Sequence, residues 1–98
     1  MMAMQGTGTE RGRAAFASEV QQSYDKAAGS GRVRVYVNDR ALFIESTGDT
    51  DQQIESAADS MQMQLASVGR RAKAWVVGFK FIVMTNGSHQ RVLAPDAP

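Results

Sequence analysis

Few side chains in this sequence are suited to catalysis, and His89 stands out because it is the only histidine. Histidine exchanges a proton most readily near neutral pH, so it is the commonest general base. A general base needs a nucleophile within hydrogen-bond reach. Ser88 is adjacent, but neighbouring residues on a strand point to opposite faces, so the two form no dyad. We therefore expect His89 to be an ordinary hairpin residue and the protein to be no enzyme.

Three carboxylates, Asp51, Glu55 and Asp59, are spaced four residues apart and so lie on one face of a helix. A metal site would need further ligands converging from elsewhere, and the absence of cysteine excludes thiolate zinc sites. We expect this stripe to be a solvated helix face or, in second place, a docking surface for a basic partner. We expect no metal and no cofactor.

Basic side chains are also segregated, because the stretch from residue 70 to residue 91 carries five cations and no acid. An open sheet face that mixes arginine with aromatic rings is the arrangement with which sheets bind RNA. The alternative hypothesis is therefore a nucleic-acid surface made of Arg32, Arg34, Tyr36, Arg70, Arg71, Lys73 and Arg91. A formal net charge of +1 is too balanced to favour nucleic acid by itself.

Two amphipathic helices are predicted to support these residues. The first covers residues 9–28, with Thr9 as its N-cap and glycines after its end. The second begins after Thr50, which forms a capping box with Gln53, and continues to residue 68. Each helix carries one apolar stripe, so each is expected to pack on a core.

Two hairpins are predicted to follow the helices. In residues 32–46 a turn at residues 38–39 pairs Val37 with Arg40. Residues 72–85 form a long strand, and the turn at residues 86–87 pairs Thr85 with Ser88 in the returning strand 89–93.

The order αββαββ predicts an α+β fold. We expect a four-stranded antiparallel sheet, made of two hairpins, with both helices packed on one face. A chain of 98 residues is one domain. Residues 9–93 are expected to form it, between flexible tails at 1–8 and 94–98.

The long predicted strand 72–85 is apolar on both faces, although the helices cover only one. An uncovered apolar face is typical of a partner surface or a dimer interface. We expect a protein partner to bind a set of arginine, aromatic, lysine and acidic residues, which are Arg34, Tyr36, Phe43, Trp75, Lys80, Asp51 and Glu55.

The main hypothesis is therefore a non-enzymatic protein-binding module, with a homodimer as one form of it. In size and character alone, the chain is similar to small cysteine-free inhibitors from phages and mobile elements, such as anti-CRISPR proteins, which block a host complex by steric binding. No run approaches the roughly 18 apolar residues of a membrane helix, so we expect a cytoplasmic protein without membrane contact.

Overall fold

The computed structural model describes residues 9–95. The predicted tail 1–8, and all of the tail 94–98 beyond Pro95, lie outside the described residues. Three α-helices, a 3-10 helix at Gly69–Arg71 and four strands follow one another along the chain, and they are α1 Glu10–Ala28, β1 Arg34–Asn38, β2 Ala41–Glu45, α2 Asp51–Val68, α3 Lys73–Val76, β3 Phe81–Thr85 and β4 Gln90–Leu93.

The two long helices begin at the predicted residues because their caps are local. The Thr9 hydroxyl accepts a hydrogen bond from the backbone N–H of Gly12 at 2.9 Å. Thr50 and Gln53 form the reciprocal capping box, with bonds of 3.1 Å and 2.7 Å. Each cap satisfies helix N–H groups that have no partner within the helix, so the predicted helix starts are confirmed. No helix in the described range is long and apolar enough to cross a membrane.

The sheet has the strand order β1-β2-β3-β4. Strands β1 and β2 pair antiparallel, as do β3 and β4, whereas β2 and β3 pair parallel. The predicted four-stranded α+β sheet with helices on one face is confirmed, but an entirely antiparallel sheet is wrong for the central pair. Helix α2 connects the hairpins, and a helical crossover brings the next strand back in the same direction.

The prediction of one long strand over residues 72–85 is wrong in its first half. Residues Lys73–Val76 form α3, and only Phe81–Thr85 is a strand. Gly78, at φ 102°, provides the reversal between them. A short apolar run has the same pattern in a buried helix as in a buried strand, so periodicity could not separate the two. Trp75 therefore lies on a helix rather than on β3.

The register of the first hairpin differs from the prediction by two residues. Asn38 pairs with Ala41, so the turn falls on Asp39 and Arg40, and Asp39 takes the positive φ of 56°. This register places opposite charges and aromatic rings across the two strands. Because the shift is an even number, every side chain keeps its predicted face.

The second hairpin is also shifted by two residues, because its loop is longer than predicted. Thr85 pairs with Gln90 rather than with Ser88. The Asn86 side-chain carbonyl accepts hydrogen bonds from the backbone N–H groups of Ser88 and His89, at 3.0 Å and 2.8 Å. This local bonding, typical of asparagine in turns, closes a four-residue loop instead of a two-residue one.

One face of the sheet packs against the helices, and we call it the covered face. Its centre is Leu42, which is 1% exposed. The strand residues of the covered face in the buried core are Leu42, Ile44, Ile82, Met84 and Leu93. Helix α1 contributes Phe16 and Val20, and α2 contributes Ile54 and Ala58. Burial of this apolar set stabilises the fold.

Arg13, in the first turn of α1, departs from this apolar pattern. Its side chain is buried, with 8% of the residue exposed. Within the described part of the chain, its Nε and Nη1 atoms have no hydrogen-bond partner. An unpaired buried guanidinium loses its hydration without compensation, so this residue costs stability.

Gln21 of α1 lies against the outer edge of β1. Its amide nitrogen donates to the carbonyl of Val33 at 2.8 Å, and its amide oxygen accepts from the N–H of Val35 at 2.9 Å. The amide nitrogen also donates to the Asp25 carboxylate at 3.0 Å. The helix is thereby tied to the sheet by polar bonds as well as by apolar packing.

Candidate protein-binding surface

The other face of the sheet carries the alternate residues of the same strands, and we call it the open face. None of its side chains belongs to the core that the helices pack against. The pairing of the strands gives its members as Arg34, Tyr36, Ala41, Phe43, Glu45, Phe81, Val83, Thr85, Gln90 and Val92. This face thus combines an apolar centre with polar residues at one end.

A stack of three side chains crosses β1 and β2 on the open face. The guanidinium carbon of Arg34 lies 4.8 Å from the centre of the Tyr36 ring. The Tyr36 and Phe43 rings are parallel within 4°, with centres 5.1 Å apart. The guanidinium also forms a 3.2 Å ion pair with Glu45. These contacts hold the two rings in place before any partner arrives.

The apolar residues of β3 and β4 differ in exposure. Val83 lies between Phe43 and Val92 in the strand register and is only 5% exposed. Phe81 and Val92 remain 44% and 49% exposed. The centre of the open face is therefore closed by its own neighbours, while the two outer side chains offer apolar surface to solvent.

A cavity of about 510 Å³ continues the open face beyond the start of β3, and we call it the end cavity. Its walls are the aromatic residues Trp75, Phe79 and Phe81, the cations Arg70 and Lys80, and the backbone that follows β4. A second hollow of about 370 Å³ beside the turn between β1 and β2 shares Lys80 and Phe81 with it. Phe81 belongs to both the open face and the end cavity.

The residues predicted to bind a protein partner divide into two groups. Arg34, Tyr36 and Phe43 come together on the open face. Trp75 and Lys80 line the end cavity, which is contiguous with that face through Phe81. The two acids, Asp51 and Glu55, lie on α2 and are engaged with other residues of the chain.

The acidic stripe of α2 is paired within the molecule rather than free for a basic partner. The Asp51 carboxylate accepts from the Asn86 side chain at 2.8 Å. One Glu55 oxygen lies 2.6 Å from the Arg91 guanidinium, and the other lies 2.5 Å from Nε2 of His89. Arg91 also binds Asp59 at 2.9 Å. The expectation of a solvated face fails at Glu55 for this reason.

The hydrogen bond from Arg91, followed by that from His89, holds the pKa of Glu55 below its ordinary value. In the same way, the hydrogen bonds to Glu55 and Asp59 raise the pKa of Arg91. The group of Glu55, Asp59, His89 and Arg91, which we call the charge cluster, connects α2 to β4 and the loop before it.

The charge cluster therefore gives His89 a partner that the sequence did not reveal. Residues 55 and 89 are 34 positions apart, and no local pattern connects them. Glu55 is shared between a histidine and an arginine, so it serves to hold two elements together. Within residues 9–95, no three histidine or carboxylate side chains are grouped as a metal site would require.

The residues predicted to contact nucleic acid do not form one surface. Lys73 pairs with Glu19 at 3.1 Å, and Arg91 belongs to the charge cluster. Arg32 lines a cavity between α1 and α2, on the covered side. Arg34 and Tyr36 lie on the open face, and Arg70 lines the end cavity, whereas Arg71 lies at the end of the 3-10 helix.

Comparison with protein-family models, curated proteins and solved structures finds no match for this chain.

Proposed function

We propose that this chain is a non-enzymatic protein-binding module that uses the open face as its docking surface. The observation that carries the proposal is the Arg34–Tyr36–Phe43 stack on a sheet face that no described helix covers. Arginine and tyrosine are among the residue types that most often dominate binding energy at protein interfaces. Rings already held in place lose little further freedom when a partner binds.

The size of the open face limits what it can bind. Four strands of about five residues cover roughly 19 Å by 17 Å, a flat footprint of about 320 Å². A stable protein interface buries about 800 Å² on each partner. The partner contact therefore extends beyond the sheet, and the end cavity is the adjoining surface with apolar side chains for it. Asp51 and Glu55 are not part of the docking surface in this proposal.

Nucleic acid stays the alternative function, because arginine and aromatic rings are neighbours on the open face. Three observations favour protein. Tyr36 and Phe43 stack on each other, Arg34 is paired with Glu45, and two of the other predicted cations are held in ion pairs. A partner that the chain inhibits by steric binding in the cytoplasm is the form of this proposal that the sequence predicts.

The proposal is tested with two variants that each place a charge on an exposed apolar residue. Val92→Asp changes the open face, where Val92 is 49% exposed. Met63→Asp is the matched control, because Met63 is 74% exposed on α2. Tagged wild type and both variants, each checked by circular dichroism, are used to capture proteins from nuclease-treated lysate of the source cells. Sedimentation equilibrium of the purified chains tests self-association.

We expect wild type and Met63→Asp to retain one stoichiometric protein that Val92→Asp loses. A wild-type dimer that Val92→Asp converts to a monomer would identify the partner as a second copy. Val92→Ser repeats the test should the aspartate variant be unfolded. Equal capture by all the folded variants would contradict the proposal. Material that disappears after nuclease treatment would favour nucleic acid instead.

A further inference from the structure

We propose that the end cavity accepts an apolar side chain from an acidic segment of the partner protein. This inference rests on the proposed function, and it adds the chemistry of the partner. The cavity has three aromatic walls, and two cations, Arg70 and Lys80, stand among its lining residues with no carboxylate. The occupant that matches these walls is apolar at its centre and negatively charged around it.

The position of Lys80 makes it the main electrostatic contact. Its side chain is exposed, and its backbone N–H donates to the carbonyl of Arg40 at 2.8 Å. That bond fixes the turn between β1 and β2 beside the cavity. Arg40 lines the neighbouring hollow together with Lys80, so cations stand on both sides of Phe81. Asp39 is the one acid among the lining residues of the two spaces.

The aromatic walls favour a peptide side chain over a nucleic-acid base. Phe79 is 3% exposed and packs its ring 6.0 Å from that of Phe16, so its face is not available for stacking. Phe81, by contrast, is 44% exposed at the mouth. A branched aliphatic side chain fits between such walls without needing two parallel ring faces, whereas base stacking needs an accessible ring face.

Trp75 provides a direct signal for occupancy, because it is the only tryptophan in the chain and lines the cavity. The probe is an acetylated and amidated peptide, Glu-Asp-Glu-Leu-Glu-Asp-Glu, titrated at low ionic strength while Trp75 fluorescence is recorded. Two control peptides replace the leucine by glycine, or every acid by lysine. Oligo(dT) is titrated in the same way.

We expect the acidic leucine peptide to shift Trp75 fluorescence saturably and the glycine and lysine peptides to bind at least about tenfold more weakly. Lys80→Glu should weaken the acidic peptide about tenfold. Lys26→Glu, which reverses an exposed lysine in the last turn of α1, should change it by less than about twofold.

No saturable shift with the acidic peptide would overturn the inference, as would equal binding of the glycine or lysine peptide. Tighter binding of oligo(dT) would overturn it in favour of nucleic acid. Val92→Asp separates this inference from the proposed function, because Val92 is on the open face and is not a cavity wall. Loss of partner capture in that variant, together with failure of the peptide, would remove the inference and keep the proposed function.

Discussion

The two faces of this sheet are built from alternate residues of the same strands, yet they differ in what they contribute. On the covered face Leu42 and Ile82 are 1% and 3% exposed, and both belong to the core with the helices. On the open face the neighbouring residue Phe81 is 44% exposed. The comparison teaches that one face carries most of the packing energy, so the other is free to be shaped for a partner.

The largest effect that tests this comparison is expected from Leu42→Ala. The substitution removes most of a fully buried side chain and leaves a cavity, which costs about 2–5 kcal/mol of the free energy of unfolding. Val92→Ala on the open face should change it by less than about 0.5 kcal/mol. Urea denaturation of both variants measures the difference. Equal losses would show that the two faces contribute alike.

Val83→Ala sharpens the comparison, because Val83 is buried although it lies on the open face. Removal of two buried methyl groups should lower the free energy of unfolding by about 1.5 kcal/mol. This intermediate loss would show that the aromatic stack and its neighbours form a small packed layer of their own. A loss below about 0.3 kcal/mol in the same urea measurement would argue that the layer is loose.

Arg13→Met examines the exception to the apolar rule on the helix side. Methionine has a similar length and no charge to desolvate, so we expect the free energy of unfolding to rise by about 1 kcal/mol. Thermal and urea denaturation at neutral pH measure the gain. Arg11→Met, at an exposed position in the same turn, is the control and should be nearly neutral. A destabilised Arg13→Met would mean that the guanidinium has a stabilising role.

The smallest effect concerns the charge cluster and depends on pH. Because the pKa of Glu55 is lowered in the folded state, the unfolded state binds more protons. The stabilisation is therefore complete above the ordinary pKa of a glutamate and is lost as the pH falls through the lowered folded value. Glu55→Gln should be less stable than wild type at pH 7, by a margin that shrinks below about pH 4. A margin independent of pH would refute this explanation.

How much the sequence could reveal depended on how local each signal was. Helix starts at Thr9 and Thr50 were predictable, because a cap involves residues only three positions apart. The division of β1 and β2 into two faces was predictable as well, because an error of two residues in register leaves every side chain on its own side.

Features that depend on distant contacts could not be predicted. The parallel pairing of β2 with β3 is decided by where α2 returns the chain, and His89 meets Glu55 only after that return. The short helix α3 was mistaken for a strand, because its apolar residues lack a period that distinguishes the two. Of the candidate surface, the Arg34–Tyr36–Phe43 group was found, whereas the joining role of Phe81 was not.

The Gln21 amide has a consequence for how this chain behaves at high concentration. An edge strand with free backbone groups is a template on which a strand of another chain can add, and repeated addition leads to fibres. The Val33 carbonyl and the Val35 N–H are two of the groups such a strand would use, and Gln21 already occupies both. The protein can thus expose an apolar sheet face while one border of that sheet resists growth into an aggregate.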